Sequence, residues 1–135
     1  MTREEARRYL GRPRALESKI RTKETALGEL RASLLPSGIR YDTDKVQTTP
    51  EDKLARVMAE IDRLEREIAE LKLEQARAIA DIEGVISTLH YEQSQEAMTR
   101  FYILRQKVAD IAEYMHYDIR TVQLYLQKGI DEMIS

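Results

Sequence analysis

Apolar residues return at spacings of three and four along the middle of this chain: Leu54, Val57, Ile61, Leu64, Ile68, Leu71, Gln75, Ala78, Ile82, Val85 and Leu89 occupy successive a and d positions of a heptad. Eleven positions in register predict one long helix with a narrow apolar seam, the signature of a coiled coil. Charges four apart on its outer faces, such as Asp62, Arg66 and Glu70, support the helix by i,i+4 pairing. Thr49 suits an N-cap, Pro50 the first helical position and Asp52 the first turn. A shorter stripe precedes it, with Leu16, Ile20, Leu27, Leu30 and Leu34 apolar and Lys23 the one polar seam position. Thr2 and Glu5 form a capping-box pattern for a helix that Gly11 and Pro13 interrupt. Between the two stripes, LPSGIRYDTDKVQTTP at 35–50 carries Pro36, Gly38 and Pro50 and reads as a loop.

The first stripe is long enough to fold back on the early part of the second. The later seam positions Gln75, Ala78, Ile82, Val85 and Leu89 then lack an intrachain partner. We expect them to form an oligomer seam with a second copy, Gln75 setting the register by its buried amide; the C-terminal residues are the alternative cover. The expected architecture is all-α, with a helical hairpin or coiled coil over 1–90 and a small C-terminal unit over 91–135.

After Leu89 the heptad fails. HYEQSQEA marks a boundary, followed by a helix expected over about Gln93 to Leu104. Val108, Ile111, Ala112 and Met115 then form an apolar face that stops at His116-Tyr117, and Val122, Tyr125, Leu126 and Ile130 form the next. Two helices, a three-residue turn and a small Ala112 at the crossing match a helix-turn-helix, with Asp118 as helix N-cap of the second helix. In that arrangement Ile119, Arg120, Thr121, Gln123, Leu124 and Gln127 stay exposed toward DNA base edges: Arg suits guanine and Gln suits adenine. Lys107 and Lys128 suit phosphates, which position the unit without reading sequence.

Charge limits how such a unit binds. The net charge of −2 arises from 22 Lys and Arg against 24 Asp and Glu. Residues 1–50 carry eleven basic and seven acidic side chains, 51–90 six and ten, and 91–135 five and seven, so no segment attracts nucleic acid by bulk charge. There is no Cys, hence no disulfide or thiolate metal site. His90 and His116 are too far apart for a helical ligand pair. No Gly-rich phosphate loop, nucleophile elbow or Ser/His/Asp grouping appears, so neither enzymatic activity nor a cofactor is expected. Tyr102, Tyr114, Tyr117 and Tyr125 are expected in the core and rim rather than as base-stacking platforms. With no apolar run of spanning length and no signal-like N-terminus, we expect a soluble cytoplasmic protein without membrane contact.

The stretch FYILRQKVADIAEYMHYDIRTVQLYL resembles sigma factor region 4, in which an Arg-Tyr-rich helix end precedes an Ile-Ala-Glu helix, a turn and a recognition helix. His116 stands where that pattern usually has Gly, and Asp118 where Ser is common. The whole layout, including SGIRYDTDKVQTTPEDK, is similar to a phage and prophage family of unknown function whose C-terminal part is similar to RinA- and ArpU-type phage transcription activators. The resemblance implies a phage-encoded DNA-binding transcription regulator, with double-stranded DNA as partner and host RNA polymerase as a second. Two other readings stay open: a DNA-recognition subunit of the small-terminase kind, and a structural, partner-binding coiled coil without DNA binding.

Overall fold

The computed structural model describes residues 1–35 and 50–135. All the regular structure among them is helical: α1 Arg3–Leu10, α2 Arg12–Ala32, α3 Pro50–Ile86, α4 Glu92–Met98, a π-helical turn Thr99–Ile103, α5 Val108–Met115 and α6 Ile119–Ile134. The expected loop at Pro36 and Gly38 and the N-cap Thr49 lie outside the described residues. The chain divides into two units, one of residues 1–17 and 74–135 and one of residues 18–73. This division falls elsewhere than the expected boundary after residue 90, because α2 and α3 each run through both units.

In the unit of residues 18–73, α2 and α3 bury Ile20, Leu27, Ile61, Leu64 and Ile68, flanked by Ala26, Leu30, Leu34, Val57 and Leu71. Apart from Ala26 these are seam positions of the two stripes, so the shorter stripe packs on the early part of the longer one. Lys23, the polar seam residue, stays half-buried by donating to Glu67 Oε2 at 2.8 Å. Further pairs lace the flanks: Arg31 with Glu65 at 2.7 Å, Lys72 with Glu24 at 3.5 Å, and Arg63 with both Glu60 and Glu67. Hydrogen bonds from Lys23 and Arg63 hold Glu67 below the ordinary glutamate value, and one from Arg63 does the same for Glu60.

The unit of residues 1–17 and 74–135 is built around a larger core. Ala6 and Leu10 of α1 meet Ile82, Ile86 and Leu89, then Ala97, Met98, Tyr102, Ile103, Ile111, Ala112, Val122, Leu126 and Ile130. Thr2 caps α1, its hydroxyl accepting from the Glu5 amide at 3.1 Å. Gly11 ends α1 and α2 begins at once, with Pro13 buried in its first turn.

The later seam finds cover here within the chain, the alternative to a second copy that the sequence left open. Ala78, Ile82 and Leu89 are buried, and Ile82 is fully so. Gln75 donates through Nε2 to Pro13 O and Glu17 Oε2, each at 2.9 Å, and Val85 is half-buried. The physical reason is α1 and the C-terminal helices, which supply apolar side chains to the same stripe a partner helix would have filled. α3 ends at Ile86, and the Thr88 and Leu89 amides make tight turns back to Val85 O and Ile86 O.

α6 approaches α4 closely at Gly129, where an added Cβ would lie 2.1 Å from Met98 Sδ. Ser94, buried in α4, donates to Tyr125 O of α6 at 3.0 Å, which satisfies its hydroxyl. His90 and Glu132 fasten the turn after α3 to the end of α6: the His90 amide donates to Glu132 Oε1 at 2.8 Å, and its Nδ1 bonds the same oxygen. α1 lies on α6 through Arg3, whose Nε and Nη2 fork onto Asp131 at 2.8 and 3.0 Å.

Candidate nucleic-acid interface

α5 and α6 are joined by three residues, His116, Tyr117 and Asp118. α5 ends on His116 in the left-handed region, at φ 60 and ψ 41. The Tyr117 amide reaches back to Ala112 O at 3.0 Å, closing the helix with a 6→1 bond that usually calls for Gly at the left-handed position. His tolerates that conformation better than most side chains. Tyr117 stays half on the rim and packs on Tyr125, ring centroids 5.5 Å apart. Asp118 occupies the N-cap position of α6 with extended backbone, but its side chain makes no capping hydrogen bond. Its carbonyl alone accepts, from the Val122 amide at 3.1 Å, so the expected carboxylate cap is corrected to a backbone one.

α6 buries Val122, Leu126, Gly129 and Ile130, a spacing of three and four that leaves the opposite face of its first turns free. Ile119, Arg120, Gln123 and Leu124 are exposed and Thr121 is half-buried. Gln127 departs from the expected set. Its Oε1 accepts from Arg7 Nη2 at 2.6 Å and its Nε2 donates to Asp131 Oδ1 at 3.0 Å, so α1 consumes the amide that was expected to read a base. The two Arg3 bonds and the Gln127 bond also hold Asp131 below the ordinary aspartate value, Arg3 contributing most.

The five cations of residues 91–135 split into two groups. Arg100 pairs with Glu96 at 2.7 Å and lies 3.3 Å over the Tyr114 ring, while Arg105 lies 3.7 Å from Glu17. Among the described residues, Lys107, Arg120 and Lys128 make no ion pair within the chain. Lys107 is exposed and stands at the N-cap of α5. Lys128 is exposed two turns along α6 from Arg120, its Nζ 5.6 Å from the Tyr91 ring and 5.8 Å from Tyr125. Of the four tyrosines expected in core and rim, Tyr102 is buried and Tyr125 partly so, and burial pushes the Tyr102 phenol up; Tyr114 is exposed.

A cavity of about 470 Å³ in the same unit is lined by Glu83, Glu92 and Glu96 with Ser87 and Thr99, an acidic lining unsuited to phosphate. Among the described residues no group of three His, Cys, Asp or Glu could hold a metal ion, and no helix is long and apolar enough to cross a membrane. The contribution of α1 to this region was missed by reading the sequence. Its one signal was the apolar pair Ala6 and Leu10, four apart on a helix that also carries Arg3 and Arg7. The chain matches no protein-family model, and no curated protein and no solved structure is significantly similar to it.

Proposed function

We propose that the chain is a DNA-binding transcription regulator of the phage-encoded kind implied by its resemblance to sigma region 4, with α5, the His116 turn and α6 acting as a helix-turn-helix. The observation that carries this reading is the coincidence of three ion-pair-free cations, Lys107, Arg120 and Lys128, with the exposed polar and apolar side chains of the first turns of α6. A cation left without an intrachain carboxylate is available to phosphate or guanine at no cost in broken pairs. Arg120, Thr121, Gln123, Ile119 and Leu124 form the reading set, and Lys107 and Lys128 contact the backbone; Gln127 is left out.

The partner is double-stranded DNA, and a host polymerase fits the same reading through its likeness to a sigma domain. Selection of bound sequences from random DNA, followed by anisotropy titration at fixed salt, tests it. Arg120→Ala should weaken the selected site by about 1–3 kcal/mol and relax one base position. A chain that enriches no sequence and binds no duplex would leave α5 and α6 as a hairpin for protein contacts, a role that the exposed Ile119 and Leu124 also suit.

A further inference from the structure

The segment between the π-helical turn and α5 is held in an unusual way. Its Leu104 amide bonds back to Thr99 O at 3.0 Å and its Gln106 amide to Arg100 O at 2.9 Å, so the carbonyls of Phe101 and Gln106 are left outside the regular helical ladder. Arg105 adopts φ 60, the left-handed region, which is uncommon for a long side chain and persists only where the surroundings hold it. What holds it comes from the first turns of α2. Arg14 Nη2 donates to Phe101 O at 3.0 Å and to Gln106 O at 3.1 Å, bridging both ends of the segment with one nitrogen. The same guanidinium stacks on the Phe101 ring, 4.3 Å from its centroid.

One turn on, Glu17 faces Arg105 Nη2 at 3.7 Å, and Arg105 Nη1 donates to Ile103 O at 2.8 Å. Glu17 is itself fixed by Gln75 Nε2, which also donates to Pro13 O. The residue that follows this bridged segment is Lys107, extended at φ −75 and ψ 149 immediately before α5.

We propose that Arg14 is a positioning residue of the DNA interface, fastening residues 101–106 so that Lys107 is presented to a phosphate at the start of α5. The proposal rests on the DNA-binding reading above. Arg14 touches no base in this arrangement; it acts through the backbone that carries Lys107. Because Arg14 is exposed, Arg14→Met removes both carbonyl bonds and the stacked guanidinium while keeping an unbranched apolar side chain beside Phe101 and burying no polar group.

The full-length chain is titrated with its selected site and with scrambled duplex over a range of salt, as wild type, Arg14→Met, Lys107→Met, Arg120→Met and the double variants. Amide hydrogen exchange of residues 104–107 is followed without DNA, and thermal unfolding confirms that each variant folds. Arg14→Met should speed that exchange, weaken both duplexes by about two- to fivefold and lower the salt slope by about one phosphate contact. In a chain already carrying Lys107→Met its effect on affinity should largely vanish, while with Arg120→Met the losses should multiply. A purely stabilising role would not discriminate between those two partners. Losses that multiply with Lys107→Met overturn the proposal, since Arg14 would then act through its own charge; unchanged exchange at 104–107 overturns it as well. Either result with a wild-type chain that binds leaves the DNA reading standing. A wild-type chain that binds no duplex overturns both, and the exchange data then still report whether Arg14 holds the segment.

Discussion

The same heptad builds two different interiors in this molecule. In residues 57–71 its a and d side chains meet one other helix, and five buried residues from the two form the core. Further on, Gln75 meets the first turns of α2, and Ile82 and Leu89 meet α1 and the C-terminal helices within a core of fourteen buried residues. Ion pairs accompany both interiors: Lys23, Arg31, Arg63 and Lys72 pair along the flanks of the smaller one, and Arg3, Arg12, Arg100 and Arg105 pair in the larger. An apolar stripe at heptad spacing therefore states which face of a helix is buried and says nothing of what buries it.

Truncating equivalent positions separates the two interiors most sharply. Ile82 is fully buried among several helices, so Ile82→Ala should destabilise its unit by about 2–5 kcal/mol. Ile61, at 7% exposure between two helices that can close on the gap, should sit at the low end of that range. Leu54, at 51% exposure in the same register, should stay within about 0.5 kcal/mol. Denaturant titration read by amide exchange in each unit measures all three. If Ile82→Ala instead changes only sedimentation, the seam belongs to a second chain after all.

Glycines sharpen the contrast at a smaller scale. Gly129→Ala drives a Cβ into Met98, which is fully buried in the larger core and must shift to make room; the net cost should be about 1–3 kcal/mol despite a gain in helix propensity. Much of that cost should disappear in a Met98→Ala background, which a double-mutant cycle reads directly. Gly28 in α2 and Gly84 in α3 meet nothing within 4 Å, so Ala at either should stabilise by about 0.5–1 kcal/mol, seen as a raised midpoint with unchanged m-value.

These positions also mark how far the sequence could be read. The pairing of α2 with early α3 was legible because both stripes keep one period and the polar exception, Lys23, has an acid to meet in Glu67. The turn at His116 was legible because one apolar face stops at Met115 and another begins at Val122, and its left-handed residue only because the resembled pattern usually has Gly there. The loss of Gln127 to Arg7 was not, since the two are 120 positions apart and nothing local distinguishes that glutamine from Gln123. Nor was the π-helical turn with its Arg14 bridge, where tertiary contacts override a local pattern that reads as plain helix.

The smallest expected difference between the units is in acid. Glu60 and Glu67 in the smaller unit, and Asp131 and Glu132 in the larger, all titrate below their ordinary values in the fold, chiefly through hydrogen bonds from Arg63, Lys23, Arg3 and His90 respectively. A carboxyl whose pKa is lowered by folding contributes its full stabilisation above its unfolded pKa and loses it as pH falls through the folded one, because the unfolded chain takes up the proton first. Both units should thus be insensitive to pH from about 7 to 5 and weaken below about 4.5. All four groups reach solvent, so salt screens the effect and keeps it small. The smaller unit has fewer buried side chains to set against the same kind of loss, and its amide protection should fall further between pH 5 and 3. Glu67→Gln should flatten that dependence in residues 18–73 and Asp131→Asn should flatten it around α1 and α6, each leaving the other unit's profile unchanged. A fall of equal size in both units, or one that either variant flattens throughout the chain, would show that the two interiors open together rather than separately.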